Sequence, residues 1–423
     1  MAQCLEVEGY VNREVAGGEE QSDASQGVGS FDGIICFGGV DWWYHNRGHY
    51  DLQIMRELTK RVPVLYVNSI GMKAPRPSEG AMFAKRVLRK IRSLRRGLQE
   101  VKTGFFVYSA PTLPGTALSS SLVSAQLAYQ VRRCARRIGM RRPLLWIACP
   151  PAAHLVGRLD TVGTVYQRTD RMEHFEGVDT GYISRLDIQL KSQADLTVFC
   201  SRELYGSEQD DCREAAFVDH GVDFDRFAAE GVRYEQSGVE PDDVRGIARP
   251  RVGFVGGIDS HTFDARLFRE VAGKLPHCQF VMVGACSLPE GWCSLDNVHF
   301  FGQRPYEDVA SYMAACDVLI MPWNQNEWIK ACNPVKLKEY LAAGRPVVST
   351  PFPELAFYAD YVSVAQSAEK FAAQIEGKIA SPDRPEFLRD RVRSQTWERK
   401  ALDICRALGK VGLSVRTPQG AVR

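Results

Sequence analysis

From Gly33 onward, short apolar runs alternate with longer amphipathic stretches. The runs are Ile34–Phe37, Val64–Val67, Phe105–Tyr108, Leu144–Ile147, Val165–Tyr166 and Leu196–Phe199. Each has the length of a strand buried on both faces, and the stretches between them suit helices, so the alternation predicts a parallel, doubly wound α/β sheet. The rhythm pauses between about Phe227 and Arg249, where Glu, Gly, Asp and Pro dominate, and this predicts a linker. It restarts with Val252–Val255, Phe280–Val283, Val298–Phe301, Val318–Met321 and Pro346–Ser349. The expected organisation is two Rossmann-like domains, 31–235 and 250–384, each with a ligand crevice at the C-terminal rim of its strands and the two rims facing across a cleft. A last helical stretch, 385–410, carries apolar residues at Phe387, Leu388, Val392, Trp397, Ala401, Leu402 and Ile404 and is expected to pack back on the first domain. Residues 1–30, rich in Gly, Glu, Gln and Ser and without period, predict a disordered N-terminal extension.

Composition narrows the class. A chain of 423 residues exceeds what one core usually organises, and 45% apolar with 25% charged residues is the balance of a soluble globular protein. A net charge of +2 gives no bulk attraction to nucleic acid, so no nucleic-acid partner is expected. No apolar run approaches the roughly 20 residues that span a bilayer, and Met1–Ser30 lacks the order of a secretory signal, which predicts a cytoplasmic protein. The 12 cysteines form no CxxC pair. Cys278, Cys286 and Cys293 fit no common zinc spacing, so no metal is expected, and Cys36, Cys200 and Cys316 read as core thiols.

The most informative stretch runs from Cys316 to Trp323 and from Asn333 to Val348, as strand, loop, helix, turn and strand. Pro334 suits the first helical turn and Gly344 the exit, which leaves the amides of Val335 and Lys336 at a helix N-terminus that favours an anion such as a diphosphate. Lys336 adds a full charge, and Glu339, one turn on, can accept hydrogen bonds from a ribose diol. A plain amphipathic helix with a solvated Lys336–Glu339 pair fits the spacing equally well. Gly256 and Gly257 follow a predicted strand, either to let backbone approach phosphates or to make a tight turn. Gly38 and Gly39 hold the matching place in the first domain, where Asp41, Trp42, His45, Arg47 and His49 are candidates to meet an acceptor. This is no GxGxxG fingerprint, so no nicotinamide cofactor is expected. For acid–base work the leading residue is Asp170, just after a predicted strand, with His154 and Glu173 behind it. A loop carboxylate paired with Arg168 or Arg171, or capping a helix, is the alternative for Asp170. Basic residues recur along 85–96 and 132–142, as on a helix lying against an anionic membrane, a solvated helix face or an RNA-binding patch.

The string Asn333-Pro334-Val335-Lys336-Leu337-Lys338-Glu339-Tyr340-Leu341-Ala342-Ala343-Gly344-Arg345-Pro346-Val347 resembles the donor-site segment of bacterial GT-B glycosyltransferases of the group 1 type that build cell-surface polysaccharides. Phe301–Tyr306, Ala314–Val318 and Trp397–Arg399 fit the same pattern, and the resemblance covers roughly 250–405. It implies a GT-B fold and transfer of a hexose or related sugar from a UDP- or GDP-linked donor to a glycan or lipid-linked acceptor, with no cofactor beyond the donor. It also implies that Glu339 binds the ribose, that the backbone before it meets the diphosphate, and that the Gly256–Gly257 loop lies near the donor phosphates. Arg304 is expected to help neutralise the leaving diphosphate, with a surface salt bridge as the alternative, and His220–Asp223 resembles a structural turn at the end of the first domain. Many retaining members carry a further glutamate where this chain has Ala331, so the donor sugar and the stereochemistry of transfer stay open, with Asn326 or Glu327 as substitute contacts. An enzyme that extends a lipid-linked glycan must reach the inner leaflet, which favours the membrane reading of 85–96. A non-catalytic sugar-nucleotide-binding subunit and a sugar-nucleotide epimerase share the architecture.

Overall fold

The computed structural model of the protein describes residues 29–44, 48–72, 81–111, 120–175 and 177–416, with side chains of 81–87 excepted. The expected extension, His45 and Arg47 therefore lie outside the described residues, apart from 29–30.

In chain order the strands of the first half are β1 (Ser30–Phe31), β2 (Ile34–Phe37), β3 (Val64–Val67), β4 (Leu98–Lys102), β5 (Phe105–Tyr108), β6 (Leu144–Ile147), β7 (Thr164–Arg168), β8 (Leu196–Phe199) and β9 (Ala215–Phe217). An eight-stranded sheet forms in the order β4-β5-β3-β2-β6-β7-β8-β9, parallel except for the β4–β5 pair. The second half contributes β10 (Arg251–Val255), β11 (Gln279–Val283), β12 (Val298–Gly302), β13 (Val318–Met321), β14 (Val347–Ser349) and β15 (Val362–Val364), a fully parallel sheet in the order β12-β11-β10-β13-β14-β15. Every residue of β2, β3, β6, β8 and β13 is buried, because helices cover both faces. Strand order reverses beside β2 in one sheet and beside β10 in the other, so the crevice of each opens where Gly38–Gly39 and Gly256–Gly257 leave the sheet.

The domain boundaries differ from the sequence expectation. Residues 224–237, placed at the end of the first domain and the start of the linker, form a helix that packs on the second domain through Phe224 and Phe227. It lies so close to the helix Val335–Ala342 that a Cβ on Gly231 would come 2.3 Å from the Ala343 carbonyl oxygen. The stretch 385–410 is two helices. Pro385–Val392 stays with the second domain, where the buried Arg389 pairs with Glu235 at 2.6 Å. Trp397–Lys410 crosses back to the first domain and packs on the helix Tyr50–Leu58. There β16 (Ser414–Val415) pairs in parallel with β1, joining both ends of the described chain. The chain thus crosses between domains twice, at 218–223 and 393–396, and the crossings run side by side, with Val222 N–H donating to the Gln395 carbonyl at 2.8 Å.

Candidate functional site

The helix Val335–Ala342 begins where two constraints stop the preceding loop. Asn333, buried, donates through Nδ2 to the Cys200 carbonyl of the first domain at 2.9 Å, and Pro334 caps the helix in an extended conformation. At the other end Gly344 has φ +71°, the left-handed exit that glycine permits. Leu337, Tyr340 and Leu341 are buried against the second sheet, and Tyr340 Oη accepts from the Val255 amide at 2.9 Å, which fixes the end of β10. That packing turns Lys336 and Glu339 to the cleft.

Lys336 Nζ lies 4.6 Å from the Phe254 ring centre and 5.5 Å from that of Trp323, a cation held over aromatic faces. Burial pushes this ammonium down to about 8, with Glu339 and Asp259 acting against the shift. The turn after β10 must be glycine. Gly256 has φ +153°, and a Cβ there would come 2.2 Å from Lys336 Nζ. Glu339 is buried, accepts from Tyr306 Oη through Oε1 at 3.0 Å, and has no partner for Oε2 among the described residues. Burial pushes its carboxyl up to about 7, with Tyr306 and Lys336 pulling it back. Lys336 and Glu339 are thus cavity-lining groups rather than a solvated surface pair.

A cavity of about 430 Å³ opens in front of these residues and is lined from both domains. The first domain contributes Gly39, Gln167, Asp170, Met172, Phe175 and His220, and the second Gly256, Tyr306, Trp328, Val335, Lys336 and Glu339. Asp170 follows β7 at the cleft rim. Its carboxylate is not salt-bridged to Arg168: the guanidinium is spent on Glu173 at 2.9 Å and Glu208 at 3.1 Å, and holds only the Asp170 carbonyl, at 2.9 Å. Burial pushes the Asp170 carboxyl up to about 6, against Arg168 and the Thr169 hydroxyl. Gly39 N–H donates to Asp51 at 2.8 Å, and a Cβ on Gly38 would overlap the Tyr66 hydroxyl, so this loop is pinned as a low floor.

Other candidates lie elsewhere. Asp41 accepts from the Trp43 amide at 2.9 Å and from Ser93 at 3.1 Å, and Trp42 packs on Phe105 with its amide on Asn68, so both brace the first domain, and neither lines the cavity. Arg304 leaves β12, the edge strand, which carries it away from the cavity to Asp243 at 2.5 Å. Asn326 caps the short helix Glu327–Lys330 and donates to the His261 carbonyl at 2.7 Å, while Glu327 pairs in solvent with Lys330 at 2.6 Å. Neither lines the cavity; Trp328, next on that helix, does. Gly257 is exposed and does not line the cavity. His154 bonds Tyr182 Oη at 3.1 Å, and Glu173 is held below the carboxylate range, against burial, by Arg168. His220, expected as part of a turn, lines the cavity. Burial and the nearby Lys338 push it down to about 3, so its ring is neutral at physiological pH. Trp328, Phe175 and Gln167 had no signal in the sequence, because only the approach of two domains makes them neighbours.

Behind the cavity the domains are tied by charge. Lys338, fully buried, meets Asp219 at 2.6 Å, and Lys400 pairs with the same carboxylate. Against burial, the two ammonium groups hold the Asp219 carboxyl well below the carboxylate range. Among the described residues no group of three or more His, Cys, Asp or Glu side chains is placed to hold a metal ion, and no helix is long and apolar enough to cross a membrane.

Residues 249–380 match the family described as Glycosyl transferases group 1. TuaH of Bacillus subtilis (strain 168), named provisionally as a teichuronic acid biosynthesis glycosyltransferase, is 28% identical over a 232-residue alignment that covers 51% of this chain and 57% of TuaH, so the match spans little more than half of that relative. Among solved structures, sucrose-phosphate synthase from Thermosynechococcus elongatus superposes with a TM-score of 0.63 at 14% identity, over 90% of this chain and 99% of that one. Anabaena HepE, solved in complex with UDP and glucose, gives 0.60 at 15% identity over 90% of this chain and 99% of its own. The protein therefore has the two-domain GT-B fold, and residues 249–380 of its second domain are similar to the glycosyl transferases group 1 family.

Proposed function

We propose that the protein is a glycosyltransferase that moves a hexose or related sugar from a nucleoside-diphosphate donor, UDP- or GDP-linked, to a glycan or lipid-linked acceptor in surface polysaccharide synthesis. The observation that carries this reading is one cavity lined by the start of a helix at Val335 with Lys336, by the buried carboxylate of Glu339, and by the desolvated carboxylate of Asp170 on the facing domain. TuaH and HepE support it as relatives whose names speak of glycosyl transfer and of UDP and glucose.

In this reading the ribose hydroxyls donate to Glu339, and the diphosphate rests on the amides of Val335 and Lys336 with the Lys336 ammonium beside it. That ammonium and the helix start meet the charge of the departing diphosphate, with no cofactor besides the donor. Asp170 takes the proton of the attacking acceptor hydroxyl from across the cleft. Domain closure about the paired crossings sets the distance between donor and acceptor.

Assays with a panel of nucleotide sugars test this: transfer or slow hydrolysis supports it, whereas epimer exchange or binding without turnover would replace it by an epimerase or a binding subunit. Glu339→Ala is expected to weaken nucleotide binding roughly tenfold, the cost of about one charged hydrogen-bonded contact, and to erase any preference for ribose over 2′-deoxyribose. Unchanged affinity would remove the ribose assignment.

The same reading places the enzyme in the cytoplasm at the inner face of the membrane. Arg89, Arg92, Arg95 and Arg96 are exposed on and just after the helix Ala81–Arg95, together with Leu88 and Ile91, a basic and apolar surface suited to anionic lipid. Flotation with phosphatidylglycerol vesicles is expected to fall when these four arginines are replaced by Gln; equal flotation would sink the membrane contact.

A further inference from the structure

Glu339 lines the cavity with one oxygen committed and one left over. Oε1 accepts from Tyr306 Oη at 3.0 Å, while Oε2 has no partner among the described residues and is not one of the polar atoms sealed from solvent. The last torsion of a glutamate is broad, so an unheld carboxylate would offer a ligand no fixed acceptor. Here the phenol on one oxygen fixes where the other one stands. Tyr306 also lines the cavity and is itself part-exposed, so the pair sits at the wall and not behind it.

The ring of Tyr306 is held from the place where the chain enters the second domain. Tyr306 lies in the loop after β12, and the helix Phe224–Ser237, which begins just past the first crossing, packs against it. Phe227 meets the ring edge-on at 6.2 Å between centres, and the Arg226 guanidinium lies over its face at 5.1 Å. A cation over the ring draws charge from the phenol and makes its O–H a better donor. Arg226 is held in turn by Asp223 at 3.0 Å. Besides Tyr306, the charged groups that act on Glu339 are Lys336 on its own helix and Asp223 and Arg226 across from it, of which the last two oppose each other.

We propose that Tyr306 is a positioning residue for the donor ribose: its hydroxyl holds Oε1 of Glu339 so that the carboxylate presents Oε2 to the ribose diol. The assignment rests on the donor reading above and adds to it the group that makes the acceptor ready. A hydrogen bond to the ionised form of a carboxyl favours that form, whereas burial disfavours it, and in Glu339 the two act against each other. Tyr306 therefore both aims the carboxylate and keeps it an acceptor at neutral pH. The ring surfaces of Phe227 and Arg226 aim the phenol, so the start of the helix that follows the crossing reaches the ribose through one intermediate.

The test is calorimetric titration of UDP, GDP and their 2′-deoxyribose counterparts into the parent protein and Tyr306→Phe, from about pH 6 to about pH 9. The parent is expected to prefer a ribonucleotide, with affinity that falls as pH drops through about 7, because a proton on Glu339 competes with the ribose. Tyr306→Phe keeps the ring and its packing. It should bind that nucleotide roughly tenfold more weakly than the parent at about pH 7, the cost of one hydrogen bond to a charged group, with a smaller preference for ribose. At about pH 9, where the carboxylate ionises without help, the two proteins should agree to within roughly twofold. Comparison at each pH cancels the titration of Lys336, which both share. A loss of one size at every pH would make Tyr306 a packing residue, and no loss at any pH would leave it idle; either result overturns the proposal while the parent's ribose preference keeps the donor reading standing. A parent that binds neither nucleotide, or ribose and 2′-deoxyribose forms alike, would remove the ribose assignment and this proposal with it.

Discussion

At the scale of residues, the site depends on groups held away from their ordinary ionisation. Asp170 titrates near 6 where an exposed aspartate titrates near 3.9, so it is ionised at neutral pH but more basic than a surface carboxylate. In the proposed mechanism Asp170 is the base and must be deprotonated, which predicts a kcat that falls as pH drops through about 6. Asp170→Asn is expected to lower kcat by about 10²–10⁴-fold with the donor KM little changed. It should also stabilise the fold. Below about pH 4 the carboxyl is protonated in folded and unfolded chains alike and the variant matches the parent; between about 4 and 6 only the unfolded chain ionises; above about 6 the desolvated charge is carried in full. Melting curves should therefore show the Asn variant ahead of the parent by a gap that opens through that window and then holds. Lys336, Glu339 and Asp170 could be singled out because their types and their places relative to strand and helix ends are local properties. Asp41 and Trp42 looked just as available, and what removes them is Ser93, Asn68 and Phe105, partners 26 to 63 positions away that no local pattern reveals.

At the scale of elements, buried strands announce themselves and edge elements do not. Every apolar run became a strand, whereas β4 (Leu98–Lys102), half-exposed at a sheet edge, and the three-residue β9 and β15 lack an apolar run to mark them. The helix Phe224–Ser237 hid in a stretch read as linker because it buries little more than Phe224, Phe227 and Gly231, leaving a polar surface that resembles a loop. In the proposed donor site, the turn after β10 is the element on which binding most depends. Gly256→Ala would place a methyl group against Lys336 Nζ and force a side chain into φ +153°. Denaturant melts are expected to show a loss of about 1–3 kcal/mol, and titration a larger loss for UDP than for uridine, since the disturbance falls on the diphosphate end. Equal losses for the two would place the phosphates elsewhere.

At the scale of the whole molecule, two Rossmann-like halves were visible as a rhythm that stops and restarts, but their true extents were not. Apolar periodicity says that a helix has a buried face and is silent about which domain supplies the partner, so 224–237 and 385–392 were assigned to the wrong neighbour. The helix Trp397–Lys410 did return to the first domain, and with β16 it closes that domain's core through Trp397, Ala401, Ile404 and Leu408. A chain ending at Gln395 is therefore expected to fail in the domain farthest from the cut: limited proteolysis should open sites within 48–217 while 224–392 stays protected. Ribosomal synthesis meets the same asymmetry. The half of the protein that emerges first finishes last, because part of its core is written in codons that follow those of the second domain, and until they are read the nascent chain carries an open apolar surface beside a neighbour that is already complete.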